Sequence, residues 1–243
     1  MRNIDITSTY FSDLGFIQYD NIRINDLYFH KVSIQLNKHQ GILELYQKFN
    51  IHLPENIKTS CFKRQTEFFI GRLAAQYALK SLDYPHNFIL HKGQHGEPIW
   101  PKNHFGSISH SMHCPQTGAA IACLNREAKY VGIDIELKNN HSILNENPEI
   151  LNHFLNPFEM RYLFNFNQFD PYIYLIIFSA KESTIKVIYS KYKIMLSFLD
   201  MKVIIIDIIR NRIFIHVNKN EMNFKVMIGY VLLESEVLTY NLL

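Results

Sequence analysis

Residues 130–136 read YVGIDIE, and acidic side chains alternate with apolar ones along this stretch. A period of two predicts a strand that carries Asp134 and Glu136 on one face and its branched apolar side chains on the other. Two neighbouring carboxylates repel each other unless a cation or a proton lies between them. Hard oxygen ligands of this kind suit magnesium or manganese better than zinc. The alternative is an ordinary solvent-facing strand edge.

A second stretch whose side chains could take part in a reaction is FSAKESTIK, at residues 178–186. It lies in a segment for which the sequence predicts a helix over 178–191. Helical spacing places Glu182 on the same face as Phe178 and Ile185, so its carboxylate lies near the buried side and needs a partner. A metal shared with the strand carboxylates would provide one. The alternative is a surface ion pair between Glu182 and Lys186, worth about 0.2–0.5 kcal/mol.

The rest of the chain alternates between strand-like and helix-like segments, which predicts an α+β fold. The strand-like segments are 28–36, 107–109, 119–124, 203–209, 213–217 and 225–233, and the other helix-like segments are 64–82 and 157–165. The Asn-rich segment 138–148 predicts a loop, and the polar residues 125–129 predict a seam between two halves.

Composition excludes several classes of protein. A formal net charge of +3 over 243 residues is too small to indicate nucleic-acid binding. Three cysteines without C-x-x-C spacing indicate a reducing, cytoplasmic setting rather than a disulfide framework. Asp5 and Asp13 argue against a secretory signal, and no run approaches the roughly 20 apolar residues of a membrane span.

Several motifs occur in a fixed order along the chain. They are Lys63-Arg64, Gly71-Arg72, Gly96-Glu97-Pro98, Gly106-Ser107-Ile108-Ser109-His110, Gly132-Ile133-Asp134 and finally F-S-x-K-E-S-x-x-K at 178–186. This series resembles the phosphopantetheinyl transferases of the surfactin and enterobactin synthase type, and it covers roughly residues 52–190.

The resemblance implies a pseudo-two-fold pair of similar α+β halves, predicted here as residues 1–127 and 128–243, with coenzyme A in a cleft between them. It implies transfer of the 4'-phosphopantetheine group of coenzyme A to a serine of an apo carrier protein. The enterobactin likeness favours carriers of siderophore or other non-ribosomal peptide synthesis. Because one chain contains both halves, we expect a monomer.

The resemblance also implies roles for individual residues. Asp134, Glu136 and Glu182 would hold Mg²⁺, or Mn²⁺, and Glu182 and Lys186 would act in catalysis. The residues implied to bind coenzyme A are Arg64, Arg72, Gly96, Glu97, Pro98, Ser109, His110, Lys181 and Lys186.

Simpler interpretations stand beside these roles. Arg72 could extend its charged end to the rim of an apolar helix face, His110 could be structural, and Lys181 could be solvated. Gly96-Glu97-Pro98 could be only a turn. At the level of the whole protein, the alternatives are a non-catalytic homologue that binds coenzyme A or a carrier, and a metal-dependent phosphodiesterase or nucleotide hydrolase.

Overall fold

The computed structural model describes residues 2–37, 41–85, 88–125, 129–167 and 170–243. The chain forms two compact units, Met1–Lys129 (unit 1) and Tyr130–Leu243 (unit 2). Each unit contains one five-stranded antiparallel sheet and one long helix packed against it, so the two halves are similar. The predicted α+β fold class is confirmed.

Unit 1 contains a sheet with the strand order β1-β2-β3-β5-β4, in which all neighbouring strands are antiparallel. Its elements are β1 (Arg2–Ser12), β2 (Gly15–Ile24), β3 (Leu27–Leu36), α1 (Ile42–Lys48), α2 (Glu55–Lys58), α3 (Phe62–Lys80), β4 (Phe105–Cys114) and β5 (Thr117–Asn125). Helix α3 packs against β3, β4 and β5.

Helix α3 forms because its apolar residues recur at helical spacing and bury one broad face. Phe69 and Ile70 are fully buried, and the sheet opposite presents the small side chains of Ala120 and Ala122. Short side chains on the sheet allow the helix to approach closely. The helix predicted over 64–82 is confirmed, although it ends at Lys80 and leaves Leu82 in the following turn.

Unit 2 contains a sheet with the order β6-β10-β9-β8-β7, again antiparallel throughout. Its elements are β6 (Val131–Leu137), α4 (His141–Glu146), α5 (Pro148–Leu151), α6 (Pro157–Asn167), α7 (Ile173–Tyr192), β7 (Met201–Asp207), β8 (Arg212–Lys219), β9 (Met222–Leu232) and β10 (Glu236–Leu242), with 3-10 helices at Lys138–Asn140 and Phe198–Asp200. Helix α7 packs against β6 and β10.

Close contact between β6 and α7 depends on Gly132. A Cβ atom at this residue would lie 2.1 Å from the carbonyl oxygen of Ser183 and 2.8 Å from Cβ of Val187. Both distances are far below van der Waals contact, so only glycine permits this approach. The glycine of the G-I-D motif is therefore explained by packing: it brings helix α7 onto the strand that carries the two predicted acidic ligands.

The last strand of the chain lies inside the sheet of unit 2. Strand β10 pairs with β6 on one side and with β9 on the other. Beyond this ladder, the backbones of Tyr130 and Leu243 exchange two hydrogen bonds of 3.0 Å each. The first and last residues of unit 2 are thus neighbours.

Most predicted elements are confirmed, and one prediction is wrong. Residues 138–148 form short helices rather than a loop, because Leu144 is buried in the core and amide side chains bond nearby carbonyls. For example, Asn147 donates to the carbonyl of Ile143 at 2.9 Å and Asn145 donates to that of Pro171 at 3.3 Å. The predicted seam at 125–129 includes residues 126–128, which lie outside the described residues. Strands β1, β2 and β10 were not predicted.

No helix in the described part of the chain is long and apolar enough to cross a bilayer.

Candidate active site

Strand β6 and helix α7 bring together three of the residues predicted for catalysis or metal binding. Asp134 lies on the face of β6 that meets the helix, two residues after Gly132, and is 3% exposed. Its Oδ1 accepts a hydrogen bond of 2.7 Å from Nζ of Lys186, which forms a partly buried ion pair. Glu182 lies one helical turn before Lys186 on α7.

Electrostatics couple Glu182 to both members of this ion pair. Burial raises the pKa of the Glu182 carboxyl, the ammonium of Lys186 opposes that rise, and the negative charge of Asp134 adds to it. The two carboxylates are therefore near enough to repel each other through a partly desolvated space. A proton or a cation at this point would relieve the repulsion.

Glu136 shares a face of β6 with Asp134, as the strand periodicity predicts. Its Oε2 accepts a hydrogen bond of 3.3 Å from Nδ2 of Asn140, in the 3-10 helix that follows the strand. This contact draws the carboxylate toward the end of the strand.

The fit of these carboxylates to a metal is partial in this conformation. Over residues 2–37, 41–85, 88–125, 129–167 and 170–243, no three His, Cys, Asp or Glu side chains are grouped so that they could hold a metal ion. The donor chemistry fits a hard divalent cation, because carboxylate oxygens are its preferred ligands and Asp134 repels Glu182. Binding to all three residues would require Lys186 to leave Asp134 and the carboxylates to rearrange.

Lys181 lies in the interior of unit 2. Its side chain is fully buried, and Nζ lies 2.8 Å from Oε1 of Glu159. The same ammonium donates to the carbonyls of Phe154 at 2.7 Å and Met201 at 2.9 Å. Burial lowers the pKa of Lys181, and Glu159 opposes that fall. These contacts give the Lys181 ammonium a structural task in the interior of unit 2, and its contact with coenzyme A stays a prediction.

The partner of Lys181 also organises the start of α6. Asn156 Oδ1 accepts from the backbone N–H of Glu159 at 2.9 Å, while Glu159 Oε2 accepts from the backbone N–H of Asn156 at 2.9 Å, which is a capping box. Oε1 also accepts from the backbone N–H of Val203 in β7 at 2.7 Å. This one carboxylate therefore joins α6, α7 and β7.

Unit 1 brings together most of the residues predicted to bind coenzyme A. A cavity of about 120 Å³, called here the small cavity, lies between α3, β4 and the segment 92–98. The predicted residues that line it are Arg64, Arg72, Gly96, Pro98 and His110. The sequence placed these residues in four separate motifs, and the fold unites them at one surface.

The small cavity is electropositive. Burial lowers the pKa of Arg72 to about 10, and the positive charge of Arg64 contributes to that fall. Arg64 is paired with Glu67 at 3.2 Å, whereas Nε of Arg72 is buried and has no hydrogen-bond partner among the described residues. The Arg72 guanidinium lies over the ring of Phe68, 4.8 Å from its centre. Two neighbouring guanidinium groups favour an anionic ligand.

The other two predicted residues of this group point elsewhere. Glu97 Oε2 accepts from the backbone N–H of His95 at 3.0 Å, so its carboxylate folds back over the turn and does not line the small cavity. The turn itself depends on Gly96, whose φ is +92°. Ser109 lies on the face of β4 opposite to His110 and also does not line this cavity.

Sequence reasoning missed Lys92, which lines the small cavity and a second, larger cavity of about 570 Å³ beside it. Lys92 forms an isolated β-bridge with Pro98, and this bridge holds it beside the turn at Gly96. The sequence signal that could have identified Lys92 is its place shortly before the Gly-rich turn at Gly96. No comparable signal in the sequence marks the large cavity, because its lining residues come from three separate parts of unit 1, at 50–54, 68–79 and 88–92.

Comparison with known proteins assigns the chain to a class. Residues 53–122 match the family model for the 4'-phosphopantetheinyl transferase N-terminal domain, and residues 130–239 match that of the 4'-phosphopantetheinyl transferase superfamily. The chain belongs to the 4'-phosphopantetheinyl transferase superfamily. The predicted enzyme class, holo-[carrier protein] synthase, is confirmed by the same findings.

Curated relatives confirm the predicted type within this superfamily. Enterobactin synthase component D of Escherichia coli K12 is 33% identical over 160 residues, which cover 66% of this chain and 69% of that protein. The 4'-phosphopantetheinyl transferase Npt of Nocardia iowensis is 32% identical over 149 residues, covering 60% and 62%. The 4'-phosphopantetheinyl transferase PptT of Mycobacterium tuberculosis is 39% identical over 87 residues, covering 35% and 37%.

Proposed function

We propose that this enzyme transfers the 4'-phosphopantetheine group of coenzyme A to a serine hydroxyl of an apo carrier protein, with magnesium as the metal. The observation that carries the proposal is the meeting of Asp134, Glu182 and Lys186 between β6 and α7, in a chain of this superfamily. In this reaction the serine oxygen attacks the phosphorus that bears the pantetheine. The pyrophosphate P–O bond breaks, and adenosine 3',5'-bisphosphate leaves.

We assign the metal to Asp134, Glu136 and Glu182, where it would neutralise charge on the pyrophosphate. The residues of the chain have distinct tasks around it. Lys186, whose ammonium pairs with Asp134 at 2.7 Å, would move that ammonium to a phosphate oxygen when coenzyme A binds. Glu182 accepts the serine proton, directly or through water, and its raised pKa favours this role.

We place the nucleotide end of coenzyme A at the small cavity. Arg64, Arg72 and His110 supply the groups that would bind its phosphates, and the turn at Gly96 and Pro98 offers backbone to the adenine. The proposal also includes the predicted cleft between the halves, a cytoplasmic location, a monomeric state and carriers of siderophore or other non-ribosomal peptide synthesis. The three free cysteines are consistent with the reducing setting.

Incubation with coenzyme A, magnesium and a panel of apo acyl, aryl and peptidyl carriers tests the function. Mass spectrometry should show a phosphopantetheine gain on a carrier serine, and the carriers modified fastest identify the pathway. Well-folded enzyme that modifies no carrier would refute transfer. Hydrolysis of coenzyme A without a carrier would favour a phosphodiesterase.

Variants separate the metal from the scaffold. Asp134→Asn and Glu182→Gln should abolish transfer and weaken Mn²⁺ binding measured by electron paramagnetic resonance, while the thermal unfolding transition remains cooperative. Glu221→Gln, at an exposed turn of unit 2, removes one carboxylate as a control and should retain both properties. Unchanged Mn²⁺ binding in both active-site variants would remove these residues from the metal site.

The role of His110 has its own test. His110→Ala should raise the KM for coenzyme A more than the KM for dephospho-coenzyme A, because only the first carries the 3'-phosphate that we assign to this residue. Equal changes in the two KM values would remove His110 from that contact.

A further inference from the structure

The large cavity of unit 1 is lined mainly by residues that have no assigned contact with coenzyme A. Its volume of about 570 Å³ is within the range of pockets that hold small organic ligands. Of the residues assigned to coenzyme A, Arg72 alone lines it, whereas the others around the small cavity do not. Phe68 and Lys92 also line both cavities.

The lining of the large cavity combines an apolar wall with positive charge. Phe68, Phe88, Leu79 and Leu90 provide the wall, and Leu79 is only 2% exposed. Arg72 and Lys92 provide the charge, and no described residue around the cavity carries a carboxylate. Covering the apolar wall with an apolar group of a ligand lowers the free energy, because it removes that surface from water. The two cations favour a negative charge at one end of the same ligand.

Arg72 lies at the junction of the two cavities. Its guanidinium packs on Phe68, and its buried Nε finds no acceptor in the described part of unit 1. A buried donor without an acceptor costs free energy, which an anion in the cavity could recover. Gln76, one turn further along α3, lines the large cavity but not the small one.

We propose that the large cavity binds a small amphipathic anion other than coenzyme A, with an aromatic or aliphatic body and one carboxylate, sulfonate or phosphate group. The existence of this site is independent of the proposed function, and only its effect on coenzyme A rests on that function. Because Arg72 and Lys92 line both cavities, an anion in one cavity should weaken anion binding in the other by an equal factor.

Titration of the full-length protein with 8-anilinonaphthalene-1-sulfonate, an aromatic monoanion, tests the site by fluorescence. Gln76→Glu places a like charge against the probe and should weaken its binding about tenfold. His52→Glu, at an exposed residue that lines only the large cavity, should act in the same direction. Gln35→Glu, exposed on β3 and away from both cavities, is the matched control and should bind like the wild type.

Addition of coenzyme A tests whether the two cavities are separate sites. The apparent Kd of the probe should rise with coenzyme A and then level off, as expected for two coupled sites. A Kd that rises without limit would mean one shared site and would overturn the proposal, as would unchanged probe binding in both Gln76→Glu and His52→Glu. Carrier modification is measured in a separate assay. If the enzyme transfers phosphopantetheine but does not bind the probe, the proposed anion site is wrong and the proposed function is unaffected.

Discussion

His30 illustrates, at the scale of one residue, how burial fixes a protonation state. Ser81 Oγ donates its single proton to the carbonyl of Ala78 at 2.8 Å, so at 3.3 Å it must accept from Nε2 of His30. Nδ1 therefore accepts from the hydroxyl of Tyr19 at 2.7 Å. The ring is neutral and its tautomer is set by its neighbours. Burial lowers the pKa of His30 to about 4.

This pKa predicts an acid-sensitive stability. As pH falls below the ordinary histidine pKa of 6.5, His30 becomes protonated in the unfolded chain, whereas in the folded protein it stays neutral until about pH 4. The free energy of unfolding should therefore lose about 3 kcal/mol across this window through His30. Between pH 6.5 and about pH 4, the free energy of unfolding of His30→Gln should fall by about 3 kcal/mol less than that of the wild type. Urea titrations at the two ends of this window measure the difference.

His113→Gln is the matched control for this prediction, because His113 is exposed on β4 and is in water before and after unfolding. It should keep the pH dependence of the wild type. An identical pH dependence in His30→Gln would show that His30 is not the group responsible.

At the scale of the elements, two glycines on helix–sheet contacts should behave differently. Gly132→Ala would drive Cβ into the backbone of α7 and should lower the free energy of unfolding by about 3 kcal/mol. Gly71 also faces a sheet, but a Cβ there would lie 3.4 Å from Cγ2 of Ile108, which is ordinary contact. Gly71→Ala should therefore change stability by less than about 1 kcal/mol, in the stabilising direction. Chemical denaturation measures both, and equal losses would contradict the packing of β6 on α7.

The ion pair between Lys181 and Glu159 should bind α7 to its neighbours strongly. Lys181→Met leaves a buried carboxylate without its cation and should cost about 3–5 kcal/mol in unfolding free energy. Adding Glu159→Gln to that variant should restore part of the loss, since the double variant buries no charge. Lys219→Met, which breaks the solvent-accessible pair with Asp200, should cost less than about 1 kcal/mol. If Lys181→Met lowered the free energy of unfolding as little as Lys219→Met, the buried ion pair would not have the proposed stabilising role.

At the scale of the whole molecule, the proposed function assigns different tasks to residues of the two units, and variants should separate these tasks. Arg64→Gln in unit 1 should raise the KM for coenzyme A about tenfold through loss of a charge-assisted hydrogen bond. Its magnesium activation constant should not change. Glu136→Gln in unit 2 should instead raise the magnesium concentration needed for half-maximal transfer. Steady-state titrations with coenzyme A and with magnesium measure the two constants for each variant. If both constants changed together in both variants, the assignment of separate tasks to unit 1 and unit 2 would be wrong.

Sequence predicted the local parts of this molecule better than the non-local ones. The acidic pair on β6 and the long helix α7 followed from periodicity, because their side chains repeat at fixed spacing. The burial of Lys181 could not follow, because its acceptors lie on α6, on the segment before it and at the start of β7. Glu97 and Ser109 were placed correctly in a turn and a strand, but the direction of each side chain depends on tertiary contacts.

The place of β10 in its sheet has a consequence for synthesis on the ribosome. Strand β6, which carries Asp134 and Glu136, pairs in its sheet with β10, and β10 is translated after every other strand of that sheet. Until β10 has left the ribosome, β6 has no ladder to join and its apolar residues have incomplete cover. Unit 2 therefore cannot complete its sheet before β10 emerges, and in that interval the acidic strand is open to chaperones and to mispairing.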